Sequence, residues 1–349
     1  MARTLILLSL WVLAVWAGKC SSDVREKRQE WGELPSSTRK SYIKAVKCMQ
    51  QKPGKLPTEH YPGARSRMDD FTITHINSTL GIHFNGVFLS WHRHYLWLWE
   101  QALKEECGYE GHQPYWNWAL SAGDLGSSPE FDGSPTSLSG NGDPSKPYPG
   151  NDPALTKNAT GGCVTTGPFA NLQVHLPDLN SFVGASSVNS SFFDYEPRCF
   201  ARSFNDTSSR LWLNQTAVDR LLGSPDIRSF QFNMDGREGP QFPKENFFVG
   251  PHSAGHQSVG PIMGDFFGSP QDPIFFLHHA MVDRTWALWQ AQDEETRLTA
   301  LYGTSSMFNA PSTPNVTLET QLHFGVLSEP KTIGELMSTH AEDFCYEYA

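Results

Sequence analysis

Apolar residues recur at helical spacing in four stretches of the chain. From Ser36 to Met49, the residues Tyr42, Ile43, Ala45, Val46 and Met49 share one face, behind a Ser36-Ser37-Thr38 start. Phe88 to Cys107 carries Phe88, Leu89, Trp91, Tyr95, Leu96, Trp97, Leu98, Trp99, Ala102 and Leu103, with no internal Gly or Pro and Gly108 just beyond. Its apolar residues fall on nearly every side, so this helix is predicted to lie at the domain centre. Helical signal returns at Ser208 to Leu222 and at Phe275 to Glu294. Between them, residues 121–170 are dense in Gly, Ser, Pro, Asn and Asp and show little periodicity. This reads as a long irregular excursion wrapped on the core and held by a Cys163 to Cys199 bridge. No fixed-period repeat and no composition shift marks a boundary. The fold is therefore expected to be mainly α, with long loops and little β structure.

The N-terminus reads as an address. Arg3, an apolar stretch from Thr4 to Trp16, and small residues at Val15 and Ala17 match an export signal over residues 1–17. The stretch is too short to span a bilayer comfortably. Residues 18–349 are expected to form one secreted domain. Six cysteines, Cys20, Cys48, Cys107, Cys163, Cys199 and Cys345, all follow the signal, and an even count in that compartment suggests three disulfides. Of the 15 connectivities open to six cysteines, we expect Cys48 with Cys107, Cys163 with Cys199, and Cys20 with Cys345; spacing alone does not select this set. Glycosylation sequons occur at Asn77, Asn158, Asn189, Asn205, Asn214 and Asn315.

Composition narrows the chemistry by exclusion. A net charge of −10 and a pI near 5.7 give no electrostatic reason to bind nucleic acid or anionic membranes. Charged residues make up 18% of the chain and aromatic residues 12%, which favours a packed core over disorder. The distinctive number is 13 histidines. His75, His83 and His92 fall near the first buried helix. Eight residues of unbroken helix rise about 12 Å, so a turn near Gly81 or Gly86 is needed to bring them together. His252 and His256 are four apart, which puts them on one face of a helical turn. His278 and His279 open the next helix. No Glu follows His252, so the zinc protease pattern is excluded. No CxxC motif is present, and imidazoles without nearby thiolates or carboxylates suit copper or zinc rather than a structural zinc site.

Two long spaced patterns carry a family resemblance. His83-x4-Phe88-Leu89-Ser90-Trp91-His92-Arg93-x2-Leu96-x3-Glu100 resembles the first copper signature of the tyrosinase family, and Asp272-Pro273-x-Phe275-Phe276-x2-His279-x3-Asp283 resembles the second. Pro114-Tyr115-Trp116-Asn117-Trp118 and Cys163-Val164-Thr165-Thr166-Gly167-Pro168-Phe169 add to the likeness with short secreted fungal tyrosinases and catechol oxidases, over roughly residues 35 to 300. The resemblance implies an antiparallel four-helix core holding two copper ions as a type 3 pair. It implies His75, His83 and His92 on the first copper, with His60 as the competitor for the first place, and His252, His256 and His279 on the second. His278, one residue away from the matching position, is expected to face elsewhere, as is His94. His112, His175, His323 and His340 are read as structural or surface residues. Asp283, one helical turn past His279, is expected to accept the spare ring N–H of a ligand histidine; Arg93 and Glu100 are read as buried ion-pair partners.

The implied activity is that of a copper-dependent oxidoreductase, with O2 and small phenols as partners. Family members that hydroxylate monophenols often carry Asn directly after the first ligand of the second copper, where it orients a water together with a Glu. Here that residue is Ser253, and Glu238 and Glu245 cannot be placed from sequence. The expectation is oxidation of o-diphenols to o-quinones with weak or restricted hydroxylation of monophenols. A tyrosinase with full monophenolase activity is the runner-up, and a non-catalytic dioxygen-binding copper protein is the alternative outside enzymes. The chain ends 70 residues after His279, so no shielding C-terminal domain is expected. Gly81 stands where some relatives carry a cysteine that crosslinks to the second ligand, so no thioether is expected. Phe266 or Phe267 is a candidate roof for the pocket.

Overall fold

Four helices, α2 (Arg67–Ile82), α3 (Phe88–Cys107), α8 (Pro251–Val259) and α9 (Ile274–Ala291), make the centre of the computed structural model. It describes residues 20–148 except 22, then 161–182, 184–236 and 248–349. The export segment, Asn158, Glu238 and Glu245 lie outside the described residues. Around the centre pack α1 (Ser36–Gln51), α4 (Trp118–Ser121), α5 (Asp206–Trp212), α6 (Gln215–Leu222), α7 (Ile227–Asp235) and α10 (Glu294–Arg297), and the strands are two or three residues long. Among the described residues no helix is long and apolar enough to cross a membrane.

Local chemistry sets the ends of these helices. Ser66 and Asp69 form a capping box at the start of α2, each side chain accepting from the other's backbone N–H. Gly108 adopts the left-handed conformation that closes α3, and Pro251 opens α8 at its first turn. The sequence expectation of one helix from Ser208 to Leu222 is corrected: the chain breaks after Trp212, and the Asn214 side chain caps a new helix by accepting from the Ala217 N–H.

Aromatic packing joins the central helices. Trp99 of α3 stacks on Phe276 of α9 at 3.8 Å between ring centroids, and Phe71 of α2 meets the Trp99 ring edge-on at 5.1 Å. The irregular segment after residue 121 is tied down as expected by Cys163–Cys199. The other two bridges are Cys48–Cys107, which joins α1 to α3, and Cys20–Cys345, which joins the two ends of the chain. No free thiol remains, so the thioether is chemically impossible here.

Candidate metal centre

Helix α2 stops at Ile82, and this stop assembles the first histidine group. His75 sits inside the helix, while His83 follows its last turn with extended backbone and swings its ring back to donate from Nδ1 to the Thr79 carbonyl at 2.9 Å. The turn into α3 passes through Gly86, where a Cβ would lie 2.6 Å from the Val316 side chain. His92 then enters from the first turns of α3 and donates from Nδ1 to the Phe88 carbonyl at 2.8 Å. His75 donates from Nδ1 to the Phe267 carbonyl at 2.8 Å. The break expected near Gly81 and Gly86 thus falls where the ligand spacing requires it. His60 is exposed and outside the group.

The second group comes from α8 and α9. His252 donates from Nδ1 to Asp235 Oδ1 at 2.8 Å, and His256 from Nδ1 to the Met263 carbonyl at 2.8 Å. One ring nitrogen from each of His75, His83 and His92 lies within 4.8 Å of the others, and the same holds for His252, His256, His278 and His279. The groups abut, since the rings of His92 and His279 stack at 4.5 Å.

His278 lies against the second group instead of facing away, which corrects the sequence expectation. Its ring is nonetheless fully used. Trp118 Nε1–H donates to His278 Nδ1 at 3.0 Å, so Nε2 carries the proton and donates to the His252 carbonyl at 3.1 Å. With no lone pair left over, His278 braces α8 and does not bind an ion. Gly255 makes room for it, because a Cβ there would sit 2.1 Å from His278 Cε1.

The remaining six rings fit a pair of metal ions. Five of them commit Nδ1–H to a partner, which leaves each Nε2 with its lone pair. The Nε2 atoms of His75, His92 and His279 are buried without any hydrogen-bond partner among the described residues. Those of His252 and His256 face one another at 3.2 Å, two acceptors with no proton between them. Such an arrangement is repulsive unless a cation sits among the lone pairs. Burial pushes all six pKa values down, His83 and His252 to about 3, and repulsion between neighbouring rings adds to this for all but His252. Neutral imidazoles are the form that binds metal.

One expectation about a nearby residue changes. Asp283 touches no histidine. Its carboxylate accepts from Arg93 Nε at 2.6 Å, Arg28 Nη1 at 3.4 Å, and the hydroxyls of Tyr346 and Tyr348 at 2.6 and 2.7 Å. Arg93 and Glu100 are ion-paired as expected, with Asp283 and Arg28 respectively. The carboxylate that does orient a ligand is Asp235, which sequence reading missed; burial pushes it up to about 7. Ser253 donates its hydroxyl to the Asp235 carbonyl at 3.0 Å. Phe266 leans over the first group, 4.9 Å from the His83 ring, while Phe267 is buried. His94 points away as expected, packed on Phe324 at 4.6 Å. A further group of Glu26, Glu100 and His112 is already answered by two cations, Lys104 at 2.9 Å from Glu26 and 3.2 Å from Glu100, and Arg28 on Glu100.

A helical frame that aims two sets of three buried imidazoles at each other is consistent with a class, the type 3 dicopper proteins. The chain belongs to the tyrosinase family: residues 65–292 match the common central domain of tyrosinase. It is 54% identical to "Oxidase hkm6" of Aspergillus hancockii over 80% of this chain and 99% of that protein. It is 47% identical to "Tyrosinase P" of Aspergillus terreus over 95% of this chain and 94% of that one. Among solved structures, a variant polyphenol oxidase from Thermothelomyces thermophila is 36% identical with a TM-score of 0.84, covering 95% of this chain and 90% of that chain. The protein is a copper oxidoreductase of this family.

Proposed function

We propose that the chain is a secreted o-diphenol oxidase, with His75, His83 and His92 on one copper and His252, His256 and His279 on the other. The observation that carries this reading is the convergence of lone pairs, including the facing Nε2 atoms of His252 and His256. Copper held there supplies two redox centres that bind dioxygen and accept an electron pair. The chain's own contribution is to fix ring orientation through Nδ1, and to exclude water with Phe88, Phe266 and Phe275, whose rings lie 4.6 Å from His252, 4.9 Å from His83 and 4.2 Å from His279. Two o-diphenols each lose two electrons and two protons and leave as o-quinones, and one O2 takes up the four electrons and four protons to become two waters.

Ser253 favours weak hydroxylation of monophenols. Its one proton is spent on the Asp235 carbonyl, so Ser253 does not donate to a water that would deprotonate a monophenol. Three disulfides favour export to an oxidising compartment. Oxygen uptake by the copper-loaded protein with a catechol and its matching monophenol tests the reading. Rapid uptake with the catechol and a slow, lagging response with the monophenol are expected. No turnover of either compound removes the oxidase reading, and equal initial rates without a lag remove the role given to Ser253.

A further inference from the structure

A groove of about 740 Å³ runs between α7 and the loop that holds Tyr302 and Phe308. Pockets that bury small ligands span ~300–1,000 Å³. None of the six proposed ligand histidines lines this one, so it is a surface feature apart from the metal centre. Its wall includes Asn315, the asparagine of the sequon Asn315-Val316-Thr317.

Asn315 is presented for modification. It is exposed, and its side chain makes no hydrogen bond among the described residues. The side chains of Asn189, Asn205 and Asn214, in contrast, each accept a backbone N–H at the start of a helix. The Asn315 backbone is held in place. It pairs with Thr304 in an antiparallel bridge, and the next N–H, of Val316, donates to the Gly303 carbonyl at 3.0 Å. The bridge fixes Asn315 beside Tyr302 and Thr304, which line the same groove.

The other walls suit a sugar. Tyr302 and Phe308 leave 40% and 53% of their surface in water. Phe84, Phe308 and Asn309 adopt left-handed backbone, with φ of 51°, 53° and 57°. Non-glycine residues take that conformation at a cost, and such strain gathers where a surface is held fixed for use. Here it accompanies the Phe84 ring lying flat on Phe308 at 4.7 Å. The exposed guanidinium of Arg228 lies 5.4 Å from the Tyr302 ring centroid. A pyranose ring has a face of C–H bonds, which packs on an aromatic ring, and an edge of oxygens, which accept from a guanidinium.

We propose that this groove is an intramolecular docking site for the N-glycan on Asn315. The first two N-acetylglucosamine units lie along it, with Tyr302 and Phe308 against their C–H faces and Arg228 on their oxygens. Docked there, the glycan covers the exposed aromatic surface and ties the Asn315 loop to α7. The proposal rests on the export reading above, because sequons are modified in secreted chains.

The full chain, produced in eukaryotic cells behind its own N-terminal segment, is digested under native conditions with an endoglycosidase that cuts between the first two sugars. Site-resolved mass spectrometry gives a rate at each sequon. Cleavage at Asn315 is expected to be about fivefold slower in the parent than in Tyr302→Ala/Phe308→Ala, the scale of one aromatic stacking contact. The other modified sequons should not change. Phe308→Tyr, which keeps the ring, should keep the protection, and unfolding the parent should abolish it. Unchanged turnover of a catechol shows that the variants are folded. Equal rates at Asn315 in the folded parent and double variant overturn the proposal. An exported chain with other sequons modified and Asn315 bare overturns it too, and leaves the export reading in place. A chain retained in the cells with no sequon modified removes the export reading itself.

Discussion

Asp235 Oδ1 accepts the Nδ1 proton of His252 at 2.8 Å, among the described residues the one carboxylate contact made by any of the six proposed ligands. This bond fixes the tautomer and ring angle of His252. Replacing Asp235 with Ala should therefore weaken one of the two copper ions about 10- to 100-fold and leave the other in place. Copper retained per chain during titration with a chelator, alongside far-ultraviolet circular dichroism to show that the helices persist, reads this directly. Two ions retained with parental affinity would show that the bond has no role in binding.

Adjacent histidines in α9 should part company under mutation. His279→Asn removes a ligand and should cost the second copper. His278→Leu should keep both ions but strand the Trp118 indole N–H and the His252 carbonyl, each now paired with a ring nitrogen. Leaving a buried polar group unpaired costs about 1 to 3 kcal/mol, so the loss should appear in thermal unfolding and not in metal content. Loss of copper from folded His278→Leu would make His278 a ligand after all.

What the sequence disclosed followed from how local each signal is. The bounds of α3 were legible because its apolar residues run without Gly or Pro from Phe88 to a closing Gly108, and the observed helix is Phe88–Cys107. His252 and His256 share a helix face by spacing alone. Asp235 was not legible, because its contact spans 17 residues across a segment without periodic pattern. Asp283 was misassigned for a related reason: one helical turn separates it from His279, but its charge is answered by Arg28, 255 positions away in sequence. The break before α6 was hidden because Asn214 read as a glycosylation sequon while its side chain also caps a helix.

The Asp283 network predicts acid sensitivity. Burial alone would raise this carboxyl, but Arg93, Arg28, Tyr346 and Tyr348 outweigh it and hold its pKa below the usual 3.8. A depressed folded pKa contributes stability above the unfolded value and loses it as pH falls through the folded one. Asp283→Asn should cost about 3 to 5 kcal/mol at neutral pH, because the buried Arg93 guanidinium loses its carboxylate partner, while Arg28 keeps Glu100. Urea unfolding at pH 7 and pH 3 should show the gap between parent and variant narrowing toward acid. A gap that stays constant would mean that packing, not charge, accounts for the cost.

Alkaline sensitivity should come from a different pair. Glu30 and Glu130, 5% and 2% exposed, meet where the N-terminal segment crosses the long irregular loop. Burial and a hydrogen bond with the Glu30 side chain push Glu130 up to about 8, so it holds a proton at neutral pH and the two carboxyl groups share it. The unfolded chain releases that proton near 4.5. Between those values the folded form binds one more proton than the unfolded form, and stability must fall as pH rises from about 4.5 to about 8. Glu130→Gln supplies a permanent N–H donor to Glu30 and removes the titration. Its unfolding midpoint in urea should decline less than the parent's between pH 5 and pH 8, so that the variant gains relative stability with rising pH. Parallel declines for the two proteins across that range would show that the pair does not share a proton.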